Sequence, residues 1–588
     1  MSSSAADAAP KTAAAARAAA AAPEGVLLRR LRYAEPATLL WIVLIGVLVV
    51  LVVWPVAELL LTSLRSARTG TFTLSNYAAA YGRTRYVDAL LNSLALGAVS
   101  AAICAVLAVP MAWAASRTDM PGRGFAWLTV LAAFIIPPYL GAIGWILLAG
   151  PNSGWINQAW MWLTGSEHSI VNVYSFWGLA FVIALNAYPF VFIFAKSGLD
   201  LISSEMEDAA NILGAGTWLT TMRITLPLVG PAILAGVILV FLETIALFGT
   251  PAIIGIPARI NVVTTQLWQF FEAPVRAEVA AAYAMPLLLI TALLILVQRL
   301  LLGRKGYVSQ TGKGGERRPI PLGPLRWVMF GWCVLVFLLS VAAPMVALVQ
   351  ASFAKAWGRG FSFDNLTLGN YTYLLFEHDA AWSAVVNTFV FAAASATFAV
   401  VVALAIAYIV KRRVMPFGSL LAFLCMAPFV IPGIVMAIGF YAAYAGPPLL
   451  LYGTSAMMIL AFTTRFLPIA YANGAAGMQM IHPEMEEAVR ILGGGRITAI
   501  RRVVAPLLKK ALLGGWLLVF ILATRELSAA IFLVGPETRT ISVLLYDLSE
   551  EGNFEVLSAL GGILLVITLA FVGIGMKLIG RDFMLRRE

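Results

Sequence analysis

The chain has 588 residues, of which 61% are hydrophobic and only 12% charged, and its mean hydropathy is +0.89. Soluble globular chains carry about a quarter charged residues, so this composition excludes a water-soluble enzyme and indicates a polytopic membrane protein. A net charge of +11 would fit nucleic acid in a soluble chain, but here the basic residues fall in short loops between apolar runs, so no nucleic-acid partner is expected and membrane lipid is.

Residues 1–36 are Ala-rich, with Pro10, Pro23, Arg29, Arg30 and Arg32 ahead of the first apolar run, and read as a disordered cytoplasmic arm. That run is too long and starts too late for a cleaved signal peptide. Twelve segments then approach the roughly 20 apolar residues a helix needs to cross lipid. They are 38–63, 90–115, 125–148, 173–197, 230–256 and 279–302, then 326–351, 384–410, 418–443, 452–477, 512–535 and 557–580. A polar, Gly/Pro-rich linker at 303–325 separates a first transmembrane domain, 37–302, from a second, 326–588. An amino terminus in the cytoplasm places most of the 40 Lys and Arg there too, including Lys411, Arg412, Arg413 and the stretch 304–318. Six spans per half return the carboxyl terminus to the same side.

The chain repeats itself. ISSEMEDAANILGAGTWLTTMRITLP at 202–227 matches IHPEMEEAVRILGGGRITAIRRVVAP at 481–506, with Glu205 on Glu484, Gly214 on Gly493 and Pro227 on Pro506 at one offset of 279 residues. At that offset Pro189 falls on Pro468 and Phe241 on Phe520. Earlier elements agree at a slightly larger offset: Pro137 with Pro432, Gly144 with Gly439, Asn76-Tyr77 with Asn370-Tyr371, and Asn92-Ser93 with Asn387-Thr388. An even number of spans per half makes this a parallel repeat, with a pathway between the halves.

The repeated loop lies between the fourth and fifth spans of each half. Met206, Ala209, Ala210 and Leu213 mark one helical face, as do Met485, Ala488, Val489 and Leu492, with Glu205, Glu207 and Asp208 on the other and Gly214 or Gly493 where the helix ends. A short helix with small side chains and acidic first-turn residues is expected to dock against a partner rather than to catalyse.

This loop resembles the EAA signature (Glu-Ala-Ala, three residues, Gly, nine residues, Ile-x-Leu-Pro) of binding-protein-dependent ABC importer permeases. The first copy reads Asp208-Ala209-Ala210, Gly214 and Ile224-Thr225-Leu226-Pro227, with Asp in place of Glu; the second reads Glu487-Ala488-Val489, Gly493 and Val503-Val504-Ala505-Pro506. The resemblance implies an all-α polytopic membrane protein with the type I ABC importer permease fold, two parallel six-helix repeats and twelve transmembrane helices in a bacterial inner membrane. It implies that Glu205, Asp208, Ala209, Ala210, Gly214, Pro227, Glu484, Glu487, Ala488, Gly493 and Pro506 couple the permease to an ABC ATPase subunit, taken as a homodimer, while a solute-binding protein delivers cargo. Fused duplicates with Ile136-Pro137-Pro138 and Ile431-Pro432-Gly433 look most like ferric-iron permeases, with thiamine, phosphonate, polyamine or sulfate as alternative cargoes. A secondary transporter of the major facilitator type, or a membrane scaffold that moves nothing, would also fit twelve helices, but gives the repeated loop less to do.

Ionisable residues within apolar spans are costly and mark function or pairing. Here they are Glu58, Glu243, Arg465, Arg525 and Glu526; Glu243, Arg525 and Glu526, with Pro137 and Pro432, are expected at the pathway or its gate. Cys104, Cys333 and Cys425 have no metal or disulfide spacing, and His168, His378 and His482 have no metal-ligand spacing, so no cofactor is expected. In the linker Gly306 and Gly312-Lys313 fail the phosphate-loop spacing, which leaves ATP hydrolysis to a separate subunit.

Overall fold

Backbone amides in hydrocarbon find no water, so long apolar runs close their hydrogen bonds internally as helices. In the computed structural model, which describes residues 36–202, 204–303, 319–360, 362–415 and 417–579, ten helices are long and apolar enough to cross a bilayer. They are span 1 (Thr38–Leu64), span 2 (Thr84–Arg117), span 4 (Phe176–Leu199), span 5 (Thr217–Ala246), span 6 (Ala277–Leu300), span 7 (Leu325–Ser352), span 8 (Asp379–Lys411), span 10 (Ser455–Gln479), span 11 (Ile500–Thr524) and span 12 (Phe554–Gly575). Spans 3 and 9 pass the same test only as bent pairs, Arg123–Ile135 with Pro138–Ala149 at 98° and Gly418–Phe429 with Gly433–Tyr444 at 110°. The expected arm, except Pro36, and linker residues 304–318 lie outside the described residues.

All twelve expected segments are present, with two differences in shape. Spans 3 and 9 turn sharply because proline lacks an N–H and forces the residue before it into an extended conformation. Ile136 has ψ 126°, and Pro137 and Pro432 cap the second arms with ψ 136° and 142°. Spans 5 and 11 start earlier than expected and end at Ala246 and Thr524, so Pro227 and Pro506 lie inside long helices instead of ahead of them. A π turn makes this possible: Leu226 N–H bonds the Thr221 carbonyl and Ala505 N–H the Ile500 carbonyl, widening the helix just where proline offers no donor. The same device precedes Pro55 in span 1 and Pro344 in span 7.

Spans 2, 4 and 5 form the core of the first half, and spans 8, 10 and 11 that of the second. Small residues let the backbones approach, as where Gly97 faces Phe241 and Ile245. The first span of each half stands outside that core and packs on both halves: span 1 lies on span 6 of its own half and on the second arm of span 9, and span 7 on span 12 of its own half and on the second arm of span 3. Both crossings join a repeated glycine to a π-turn proline. A Cβ at Gly144 would lie 2.5 Å from Pro344 Cβ and 2.6 Å from its carbonyl oxygen, and one at Gly439 would lie 2.8 Å from the Pro55 carbonyl oxygen. Tyr444 OH donates to the Val50 carbonyl at 2.5 Å, an acceptor whose π-turn donor would be Pro55.

The other repeated motifs tie the spans at the end away from the repeated loops. Asn76 Nδ2 donates to the carbonyls of Ser63 and Arg65 at the end of span 1, and Asn370 Nδ2 to those of Ser352 and Ala354 at the end of span 7. Asn92 and Asn387 donate to Asn261 and to Glu537 and Arg539, while Ser93 and Thr388 accept from Val263 and Ile541. These motifs hold the frame. Of the linker, Ile320 exchanges backbone hydrogen bonds with Arg117 and Asp119, and Leu322 N–H donates to Asp119 Oδ1.

Candidate transport pathway and docking elements

The repeated loops form helices Ser204–Ile212 and Glu484–Ile491. Each ends on a glycine in the left-handed region, Gly214 at φ +83° and Gly493 at φ +82°, and Ala215 N–H then reaches back to the Ala210 carbonyl, as Gly494 N–H does to that of Val489. This six-to-one closure satisfies the last helical carbonyls. No atom lies within 4 Å of a Cβ at either glycine, so it is the backbone conformation that requires glycine there.

The apolar stripe read from the periodicity turns mostly outward. Met206, Ala209 and Leu213 are exposed and Ala210 alone of that set is buried; Met485, Ala488 and Leu492 are exposed with Val489 half-buried. Exposure repeats between the copies, with Ile212 and Ile491 both at 85% and Leu213 and Leu492 both at 87%. Asp208, Gly214, Pro227, Glu484, Glu487, Gly493 and Pro506 are exposed as well, and Glu205 lies in the first turn of its helix. Each loop thus presents bare apolar side chains edged by carboxylates, which is a surface that lacks its partner.

In each loop an acidic residue faces inward. Glu207, read on the face opposite the apolar stripe, is buried and pairs with Arg117 at the end of span 2, and it also accepts from Thr225 Oγ1 at 2.8 Å. Glu486 repeats this with Arg412 at 2.6 Å and Tyr408 OH at 2.9 Å. Both arginines also donate to the carbonyl of the equivalent residue ahead of the loop helix, Ile202 or Ile481, at 3.0 Å. The sequence reading missed these pairs because the partners stand 90 and 74 residues apart. One signal existed: Arg117 and Arg412 stand at the same interval before Pro137 and Pro432.

A second site lies between the halves. A cavity of about 240 Å³ is lined by Glu243, Arg465, Arg525 and Glu526 together with Phe134, Tyr139, Phe190, Phe429 and Phe466. Arg525 donates to the Phe134 carbonyl of the opposite half and lies 4.8 Å over that ring. The carbonyl is free because its helical donor would be Pro138. Arg465 donates to the Ile431 carbonyl at the break of span 9 and lies 3.8 Å from Glu526, whose other oxygen accepts from Ala529 N–H. The breaks at Pro137 and Pro432 thus each supply a carbonyl to a cavity arginine. Glu243 makes no hydrogen bond or ion pair among the described residues and also borders a smaller adjoining cavity. Glu58, the remaining intramembrane charge, pairs instead with Arg65 at 3.9 Å, near the end of span 1.

Beyond the ends of spans 5 and 11, aromatic rings from both halves meet. Phe532 lies 4.9 Å from Phe271, 5.5 Å from Trp268 and 6.3 Å from Phe248, and Tyr441 lies 5.1 Å from Phe271. On the same side an outer pocket of about 380 Å³ includes Asp547 and Glu550, and burial raises the pKa of Asp547 despite Arg539 at 3.8 Å. No group of three or more His, Cys, Asp or Glu side chains suited to holding a metal ion occurs among the described residues.

Residues 36–306 match the family described as binding-protein-dependent transport system inner membrane component. The chain is 30% identical over 517 residues to the ferric transport system permease protein FbpB of Actinobacillus pleuropneumoniae, covering 85% of this chain and 72% of that one. It is 29% identical over 468 residues to a putative ferric transport system permease protein FbpB 1 of Haemophilus influenzae, covering 78% and 72%. A putative 2-aminoethylphosphonate transport system permease protein, PhnV of Salmonella typhimurium, is 23% identical over 235 residues, which is 40% of this chain and 88% of that shorter one. These matches remove the major facilitator and scaffold alternatives. With its apolar spans, duplicated loops and likeness over most of its length to such a permease, the chain belongs to the binding-protein-dependent inner-membrane permeases of ABC importers: a multi-pass transport subunit, not itself an enzyme, that works with a solute-binding protein and an ATPase.

Proposed function

We propose that this permease imports ferric iron, passed from a solute-binding protein into the cavity between the halves and driven by a homodimeric ATPase docked on the two loop helices. Its likeness to ferric permeases over 85% of its length carries the cargo reading. Glu205, Asp208, Ala209, Ala210, Gly214 and Pro227 and their counterparts Glu484, Glu487, Ala488, Gly493 and Pro506 form the docking surfaces, which places both loops, the linker and both termini in the cytoplasm. Exposed Ile212, Leu213, Ile491 and Leu492 supply the apolar contact and the carboxylates its polar edge. ATP-driven closure of the partner draws the loops together, and the halves rock about the cavity.

Within the cavity Glu243 is the carboxylate without a hydrogen bond or close ion pair among the described residues, though its charge acts on Arg525, whereas Arg465, Arg525 and Glu526 have direct polar contacts. The two arginines and the PhnV likeness support a second reading, import of a phosphonate. Uptake separates the two. A strain lacking the permease is expected to lose binding-protein-dependent uptake of radiolabelled ferric iron and to regain it with the wild-type gene. Loss of phosphonate, thiamine or polyamine uptake with ferric uptake intact would overturn the iron reading.

A further inference from the structure

We propose that the buried pairs Arg117–Glu207 and Arg412–Glu486 are positioning elements that make each loop helix move as one body with the second span of its half, and that the two halves are geared differently. This rests on the reading of the loops as ATPase-docking surfaces and adds residues outside the docking surface itself.

The first ground is burial against exposure. The side chains of Arg117 and Glu207 are 4% and 5% exposed, and those of Arg412 and Glu486 13% and 11%, with both glutamates on loop helices whose other described residues are mostly exposed. A buried ion pair adds little stability over apolar packing of the same volume, but it fixes the register of the two elements that it joins. Each guanidinium also holds two points of the loop at once, the carboxylate and the carbonyl of residue 202 or 481, so the planar fork resists rotation of the loop helix about a single contact. The pair recurs in both halves although the side chains around it differ.

The second ground is the third contact of each carboxylate. Glu207 accepts from Thr225 on span 5, whereas Glu486 accepts from Tyr408 on span 8, the span that Arg412 directly follows. Through its carboxylate the first loop helix is therefore hydrogen-bonded to two spans of its core and the second twice to one, although both also pack against the start of the fifth span of their half. The first half has a further connection, because the residues next to Arg117 hold Ile320 and Leu322 of the linker, and Arg326 at the start of span 7 lies 3.8 Å from Asp119. A displacement of the first loop helix thus has a path into span 7, which packs on the bent span 3.

The test uses the full chain reconstituted with its ATPase, carrying one added cysteine at Ser528, a residue lining the inter-half cavity. The native Cys104, Cys333 and Cys425 are buried and give low background. The rate of maleimide reaction is measured with and without ATP. In E207Q and E486Q, which keep side-chain volume, ATP hydrolysis is expected to continue while the ATP-dependent change in labelling falls about fivefold or more, with E207Q the more affected. The exchanged pair R412E/E486R is expected to restore the response of the second half. An unchanged response in both glutamine variants overturns the proposal, and so does a loss that the exchanged pair fails to reverse, since that marks a demand for those side chains in place rather than for the tie between them. The docking reading is checked separately: a wild-type chain that fails to copurify with its ATPase overturns both, whereas copurification with an unaltered response in the variants overturns the tie alone.

Discussion

Arg525 has no equivalent in the first half, where the offset of 279 residues falls on Ala246, and it does two things that a lysine could not do together. Its guanidinium donates to a carbonyl left without a helical partner by Pro138, and its flat face covers the Phe134 ring. Both contacts cross between the halves, so the proposed rocking would make and break them. Arg525→Leu is expected to cost about 1.5–3 kcal/mol, the range for a hydrogen bond to a charged group, with uptake reduced and Arg525→Lys intermediate. Thermal unfolding in detergent and uptake in vesicles check the two effects, and a leucine variant as stable and active as wild type would refute the role. Intramembrane charge announced Arg525 and Glu526 in the sequence, since lipid leaves an ion little choice but to find a partner or a cavity. Which partner it finds was not legible: the acceptor is a backbone atom, and its availability depends on a proline 387 positions before Arg525 in the chain.

Among the elements, the proline devices decide the architecture. Where a π turn precedes the proline the helix runs on, as at Pro55, Pro227, Pro344 and Pro506, and where two prolines or Pro-Gly interrupt it the helix turns through about a right angle, as in spans 3 and 9. Apolar length alone made all twelve segments visible in the sequence, but it does not distinguish these two outcomes, because both keep the same hydropathy. It also misjudged where spans 5 and 11 begin, since their first turns carry Arg223, Arg501 and Arg502 and project beyond the apolar stretch. The crossings between span 7 and span 3 and between span 1 and span 9 supply a sharp test. Gly144→Val is expected to destabilise the protein by about 1–3 kcal/mol through overpacking against Pro344, whose backbone oxygen cannot yield, while Gly46→Ala, inside a helix and in open space, leaves the melting temperature unchanged or slightly raised. Equal melting of the two variants would show that the crossing tolerates bulk.

Taken whole, the molecule brings aromatic rings of both halves together on the side away from the loop helices, next to its charged cavity. Phe248, Trp268 and Phe271 from one half and Tyr441 and Phe532 from the other meet edge to face, and these residues gave no sequence signal because aromatic side chains are common throughout the chain. If this cluster is the outer gate, Phe532→Ala admits reagents from that side: a cysteine at Ser528 is expected to react with a membrane-impermeant maleimide several times faster than in the wild type, where protection unchanged by the substitution would place the gate elsewhere. The pseudo-twofold repeat was plain in the sequence, but the exchange of first spans across it was not, because a parallel repeat is equally compatible with two separate bundles.

That exchange bears on how the protein is made. Span 1 leaves the ribosome some 380 residues before the arm of span 9 that will cover it, so it must wait in the bilayer with its inner face clothed by lipid or by an insertion factor. The first half cannot complete its packing until the second has been translated, because the arm of span 9 is part of what covers span 1.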